Sequence, residues 1–306
     1  PYRLSLARYW LGRQGRARDY TFLCSQWLPQ PDYQRYLSRI YPKWPTPELP
    51  KDQEAIPAAT LAGLLEKLGR EQSITYLHPS FGYYFETYAG QPDGLVVQLR
   101  PHGTNNLVSP PQTPEVIARN QKNWLAISNE INATIVPYVA HSDERTRFPF
   151  PESLYRRIGL KPIKNRLAND LGTYYSRSLV NWAVELQRAG DHESAVGHYQ
   201  LAQRLNPKNI VADINLAFNE KLRSGQSLDI TLDRPLEEFF GTSRSWDQVL
   251  NLNGPYDAPA LSFAQGYVFA QGNLIRQAAQ AFERARQQAT NDVTSRRSEE
   301  HTSELQ

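Results

Sequence analysis

The stretch that most constrains the fold is residues 179–207, "LVNWAVELQRAGDHESAVGHYQLAQRLNP". Apolar and small residues recur there at helical spacing in two runs, and Gly190 separates the runs. This pattern is typical of two antiparallel helices joined by a tight turn. The predicted contact face consists of Leu179, Trp182, Ala183 and Leu186 on the first helix, and of Ala195, Tyr199 and Ala202 on the second. Pro207 then ends the second helix.

This unit resembles a tetratricopeptide repeat over its full period of about 34 residues. It departs from the family pattern at Trp182 and Ala183, where leucine and glycine are preferred. The resemblance implies a stack of helical hairpins that presents a groove to a peptide or to another protein chain. A scaffold whose groove is filled from within is the open alternative.

Two further units are weaker. The run "VADINLAFNEKLRSG" supplies one helix through Ile214, Ala217 and Phe218, but "QSLDITLDRP" after it offers no partner helix. The last unit, "ALSFAQGYVFAQGNLIRQAAQAFERARQQA", recovers the spacing with one extra residue in its turn, through Gly266, Gly272, Ala278, Phe282 and Ala285. Because about three such units are needed to bury their faces, we expect an all-α repeat domain over residues 166–296.

The first half alternates helical and strand signals. "YTFLCSQWL", "SITYLH" and "GLVVQLRP" are predicted strands, and the predicted helices begin near residues 2, 31, 57 and 113. Gly12 and Gly69 are expected to cap helix C-termini, and Thr113 a helix N-terminus. The alternation favours an α/β layer with a parallel or mixed short sheet over residues 1–134. A linker or crossover follows over residues 135–165.

Composition excludes several classes of function. The chain of 306 residues has a net charge of +3, and its basic run "GRQGRAR" lacks interleaved aromatic residues. We therefore interpret that run as a solvated turn and expect no nucleic-acid partner. Cys24 lies in an apolar run and is expected to be a packed thiol. No stretch approaches the roughly 18 apolar residues of a membrane helix.

Candidate chemistry is sparse. The segment "ITYLHPSFGYYFETYAG" places His78, Tyr83 and Glu86 close together in sequence, which makes them candidate ligands for a small molecule or a sugar. No histidine or acidic spacing matches a metal site, and no glycine-rich phosphate loop occurs, so we assign no catalytic residue, cofactor or metal. We expect the aromatic residues to cover one end of the sheet. A sugar platform is the alternative, because tyrosine rings can stack on pyranose faces.

Three pieces of the first half occur in a characteristic order: "DYTFLCSQWLPQPDYQRYLSRIYP", "ITYLHPSFGYYFE" and "GLVVQLRP". They resemble the soluble portion that follows the membrane spans in large multipass bacterial proteins related to protein O-mannosyltransferases, within the GT-C glycosyltransferases. Members of that family often carry tetratricopeptide repeats. The resemblance implies an extracytoplasmic, periplasmic segment that serves as a scaffold for protein interaction. It implies no catalytic residue here, because the family's catalytic acid lies between early membrane helices.

Both ends of the sequence suggest a fragment. The chain begins at Pro1 and contains no methionine, and Arg297–Gln306 resemble the translation of a sequencing-library adapter. We therefore expect membrane contact through an upstream part and no fold contribution from residues 297–306. The alternative is a free-standing tetratricopeptide adaptor with a small-molecule or sugar site in the α/β half.

Overall fold

The computed structural model describes residues 2–47, 55–77, 82–102, 106–139, 165–225, 238, 240–241 and 243–288. Over these residues the chain is mostly helical, with one small three-stranded sheet. It divides into two compact units, Pro1–Asn105 and Asn106–Gln306.

The helices of the first unit are α1 (Tyr2–Arg13), α2 (Pro31–Ile40), α3 (Ala58–Glu71) and the single turn α4 (Tyr84–Thr87), with a short 3₁₀ helix at Ala17–Asp19. Helix α2 begins with a proline, whose missing N–H is not needed in the first turn. The predicted glycine caps are wrong. Gly12 and Gly69 both lie inside their helices, and the ring of Tyr88 fills the space that a side chain at Gly69 would occupy.

The sheet contains β1 (Ile74–Tyr76), β2 (Tyr88–Asp93) and β3 (Val96–Pro101) in the order β1-β3-β2. Both pairs are antiparallel, so the expected parallel or mixed sheet is wrong. For β2 and β3 the reason is local: only Gly94 and Leu95 separate these strands, and a connection of two residues can only reverse the chain. Gly94 has a φ of 60°, which glycine adopts without strain.

The predicted strand around Cys24 is also wrong. Residues 20–24 belong to no strand, although Tyr20 has extended backbone angles. The hydroxyls of Tyr33 and Tyr41 accept hydrogen bonds from the backbone N–H groups of Cys24 and Phe22, at 2.9 and 3.1 Å. Tyr33 on α2 and Tyr41 just after it thus bond the backbone N–H groups that a neighbouring strand would otherwise have bonded. Cys24 itself is buried, as a packed thiol would be.

The second unit contains α5 (Pro114–Thr134), α6 (Arg166–Arg188), α7 (His192–Leu205), α8 (Ile210–Ser224), α9 (Trp246–Asn253), α10 (Pro259–Gln271) and α11 (275–288), with a 3₁₀ helix at Val136–Tyr138. Thr113 caps α5 as expected, since its side chain accepts from the N–H of Val116. Asn165, Asp191, Asn209 and Ser245 cap α6 to α9 in the same way.

Helix α5, which the sequence analysis assigned to the first domain, belongs to the second unit. Trp124 is buried, and its ring meets that of His198 on α7 edge to face, with centroids 6.0 Å apart. Gln121 donates a hydrogen bond of 2.9 Å to Asp191, the residue that caps α7. An aromatic contact and a polar one therefore attach α5 to the helical hairpin.

The hairpins α6–α7 and α10–α11 share one turn geometry. Gly190 and Asn273 both have positive φ, 84° and 58°. In each hairpin the same three backbone bonds close the first helix: Ala189 to Glu185, Gly190 to Gln187 and Asp191 to Leu186 in one, and Gly272 to Val268, Asn273 to Ala270 and Leu274 to Phe269 in the other. Asn273, and not Gly272, is thus the equivalent of Gly190, and the extra turn residue expected from the sequence does not exist.

Several predicted features lie outside the described residues: most of the linker (140–164), the "QSLDITLDRP" segment and Arg297–Gln306. Among the helices that the structure describes, none combines the length and the apolar character needed to cross a membrane.

Candidate functional site

The aromatic segment of the first unit packs into its core. Tyr84 and Tyr88 are buried, and their hydroxyls donate to the backbone oxygens of Ser25, at 3.1 Å, and of Leu65. The ring of Tyr84 lies 4.1 Å from that of Tyr83 and 5.7 Å from that of Tyr76. Burial raises the pKa of Tyr83 and of Tyr84. Tyr88 connects the sheet to α3, and Tyr84 connects α4 to the backbone of Ser25. Because both are buried, neither of these two rings presents an open stacking face.

Two of the three predicted ligands of this segment lie in the described part of the chain. Tyr83 and Glu86 are half-buried beside and within α4, and His78 lies outside the part of the chain that the structure describes. His102 approaches the backbone oxygen of Phe85 with its Nε2 atom at 3.3 Å. Within the described residues, no three His, Cys, Asp or Glu side chains are grouped so that they could hold a metal ion.

The repeat-motif residues line the interior of the second unit. The buried ones are Leu179, Trp182, Ala183, Leu186, Ala195, Tyr199, Ala202, Ala278 and Ala285. Phe282 is half-buried and lies against Gly266, where an added Cβ would come within 2.8 Å of its ring. Pro207 is exposed just after α7. The helices of both hairpins therefore approach one another over small residues, as the pattern predicted.

Residues 246–258, here called the closing segment, pack on the face formed by α6 and α8. Helix α9 contacts both of these helices. The Asn209 side chain donates to the backbone oxygen of Asn253 at 3.1 Å, and that of Asn215 to Pro255 at 3.0 Å. Gly254 has a φ of 100° and sits so close to Val180 that an added Cβ would come within 2.9 Å of it. Part of the chain thus covers the face formed by α6 and α8.

Asp257 anchors the end of the closing segment and is fully buried. Arg284 on α11 makes two bonds to its carboxylate, at 2.9 and 2.8 Å, and Arg188 on α6 approaches at 3.3 Å. Gln187 donates to the same carboxylate at 2.6 Å. The Asn215 side chain accepts from the backbone N–H of Asp257 at 2.9 Å. The carboxylate of Asp257 therefore joins α6 to α11, and its backbone N–H adds a bond to α8.

The electrostatics of this cluster favour the ionised carboxylate. Burial by itself raises the pKa of Asp257, but Arg284 and Arg188 outweigh burial, so the pKa lies below its usual value. Burial likewise disfavours the charged form of Arg188, and Asp257 reverses that effect, so the pKa of Arg188 is raised. Sequence reasoning missed this cluster. An aspartate two residues before the helix proline Pro259 is typical of a solvated turn, and nothing local shows its distant partners.

Helix α10 carries an exposed aromatic pair. Phe263 and Tyr267 lie one turn apart on one face, and each is 58% exposed. The Phe263 ring rests partly on Phe282, with centroids 5.3 Å apart. We call Phe263 and Tyr267 the α10 pair. Tyrosine and phenylalanine are both enriched in the cores of protein interfaces, and tyrosine is often among the residues that contribute most to the binding energy.

Comparisons with known proteins add no relative. A scan against protein-family models, a search among curated proteins and a search among solved structures each returned no match.

Proposed function

We propose that the second unit is a tetratricopeptide-like array that serves as a protein-interaction scaffold. The observation that carries the proposal is the equivalence of the α6–α7 and α10–α11 hairpins, in turn dihedral angles, in backbone bonding and in their small buried contact residues. Stacked helical hairpins of this kind build extended surfaces for binding other chains.

The partner surface in this proposal is the α10 pair and not the α6–α8 face. The closing segment covers the latter face, and Asp257 is held there by two arginines. Displacing it would leave those two cations without their buried partner, which is costly. Phe263 and Tyr267 need no displacement, because both rings are already exposed. The scaffold is thus closed from within on one face and available on another.

A selection of peptides from a displayed library on the purified chain tests this proposal. Enriched peptides are then titrated against Phe263→Ser/Tyr267→Ser and against the control Leu125→Ser, whose leucine is 65% exposed on α5. We expect affinity to fall about tenfold or more for the aromatic double variant, because aromatic anchors dominate interface energies. The control should bind like the parent chain. Peptides that bind the double variant unchanged, or no enrichment at all, contradict the proposal.

The order of the three first-half pieces supports a second, wider proposal. The chain would be a non-catalytic extracytoplasmic segment of a membrane glycosyltransferase-like protein, attached to the membrane through an upstream part. Reading the coding sequence upstream of Pro1 tests it. Several hydrophobic spans of about 20 residues are expected. An upstream start codon with no such span between it and Pro1 would contradict this proposal and favour a free-standing adaptor.

A further inference from the structure

Helix α1 carries a face of large apolar side chains without cover. Leu6, Tyr9 and Trp10 are 44, 58 and 58% exposed. Their spacing of three and four residues puts them on one side of the helix. The opposite side, with Leu4, Ala7 and Leu11, is half-buried. Helix α1 thus packs one apolar side against the rest of its unit and leaves a second apolar side exposed. The exposed side is a candidate binding surface.

The charge of this region indicates what kind of partner would bind the exposed side of α1. Residues 2–18 contain arginines at positions 3, 8, 13, 16 and 18 and no aspartate or glutamate. Ser5, Arg8, Tyr9, Gly12 and Arg13 line one shallow depression along the helix. The Arg13 guanidinium lies over the Trp10 ring, 5.9 Å from its centroid. Cationic and aromatic groups therefore lie together on this side of α1. Such a surface suits a partner that is both negatively charged and partly apolar.

We infer that α1 docks on the surface of an anionic lipid bilayer. Leu6, Tyr9 and Trp10 enter the headgroup region, and Arg8 and Arg13 contact lipid phosphates. Tryptophan and tyrosine favour the boundary between lipid headgroups and acyl chains, and so does arginine, because of its long apolar stem. Each arginine near an anionic surface contributes to binding, whereas the exposed leucine gains nothing from a purely polar polyanion. The inference does not depend on the function proposed for the second unit.

Co-sedimentation of the full chain with vesicles tests the inference. Vesicles of phosphatidylcholine with about 30% phosphatidylglycerol are compared with pure phosphatidylcholine, and we expect binding at least about tenfold tighter to the anionic ones. Arg8→Gln/Arg13→Gln should weaken that binding roughly 25-fold, since each of the two charges contributes about a factor of five. The matched control is Arg204→Gln/Lys208→Gln, which removes two exposed charges from the second unit. It should bind like the parent chain.

A second measurement reports insertion of the apolar face. The tryptophan emission of the parent chain should shift to the blue on anionic vesicles, and Trp10→Phe should lose most of that shift. Leu6→Ser/Trp10→Ser should also lose binding, while Leu125→Ser should not. Equal affinity for both vesicle types, no binding, or an equal loss in the control variants would overturn the inference. So would binding to a single-stranded oligonucleotide with vesicle binding absent.

Discussion

At the scale of single residues, we expect substitution of Asp257 to cause a large loss of stability. Asp257→Ala leaves Arg188 and Arg284 without the carboxylate they share, and both guanidinium groups lie mostly buried. We expect the free energy of unfolding to fall by about 3 kcal/mol, measured by urea denaturation followed by circular dichroism. The control, Asp170→Ala, removes an exposed carboxylate 3.9 Å from Arg166 and should change stability by less than about 0.5 kcal/mol. Equal effects of the two substitutions would show that the cluster is not an anchor.

His198 predicts a pH dependence. Burial lowers its pKa to about 4 and outweighs the opposing effect of Asp191. A base whose pKa is lower in the folded state than in the unfolded state stabilises the fold fully above the unfolded pKa of about 6.5. That contribution is lost as the pH falls from about 6.5 towards 4. Between pH 7 and pH 5 the chain should therefore lose about 1–2 kcal/mol more stability than His198→Gln loses, in the same denaturation assay. Identical pH slopes would contradict the assignment.

The residues that pack between the hairpin helices could be predicted from the sequence. The hydrogen-bond and ion-pair partners of buried polar residues could not. Ala183 and Tyr199 stand at the expected spacing and are buried as expected. The partners of Asp257 come from α6, α8 and α11, which lie far from it in sequence, so no local pattern identifies them. The assignment of Tyr83 and Glu86 as ligands stays a prediction. The burial of the neighbouring Tyr84 and Tyr88 rings in the core could not be distinguished from a ligand site by sequence proximity alone.

At the scale of elements, the geometry of the α6–α7 turn can be tested by comparing two glycine-to-alanine substitutions, one in the turn and one inside α7. Gly190→Ala forces a side chain into φ of 84° and should cost about 1 kcal/mol of stability. Gly197→Ala lies inside α7 with nothing within 4 Å of an added Cβ, and should gain about 0.5–1 kcal/mol, because alanine favours helix. Urea denaturation measures both. Shifts of the same sign would contradict the turn geometry.

Helix α3 of the first unit offers a second pair. Gly69→Ala places a methyl group against the ring of Tyr88, whose hydroxyl binds the backbone of α3, and should destabilise the chain by about 1–3 kcal/mol. Gly63→Ala in the same helix meets no neighbour and should stabilise it by about 0.5–1 kcal/mol. Thermal unfolding compares them. A stabilised Gly69→Ala chain would show that Tyr88 does not pack there.

Helices were easier to predict than strands for a physical reason. Periodic apolar faces and capping residues such as Thr113 act within a few positions of the element they define. A strand depends on its neighbours: the apolar run around Cys24 has the composition of a strand, but tyrosine hydroxyls take the place of a partner strand. The direction of the sheet followed from the short β2–β3 connection, which the helix–strand alternation obscured.

At the scale of the whole molecule, the sequence indicated a repeat domain but left open whether its groove was free or filled from within. Among the described residues, the face formed by α6 and α8 is covered by residues 246–258. This arrangement could not be predicted, because the segment has no repeat pattern and its contacts span long stretches of chain. We therefore propose that a partner binds at the α10 pair.

Hydrogen–deuterium exchange of the chain with and without an enriched peptide tests that placement most directly. We expect slower exchange along residues 259–288 on peptide binding, with no change in residues 246–258, because Asp257 stays between its two arginines. Faster exchange in residues 246–258, together with protection of α6 and α8, would mean that the peptide displaces the closing segment, and it would contradict the account.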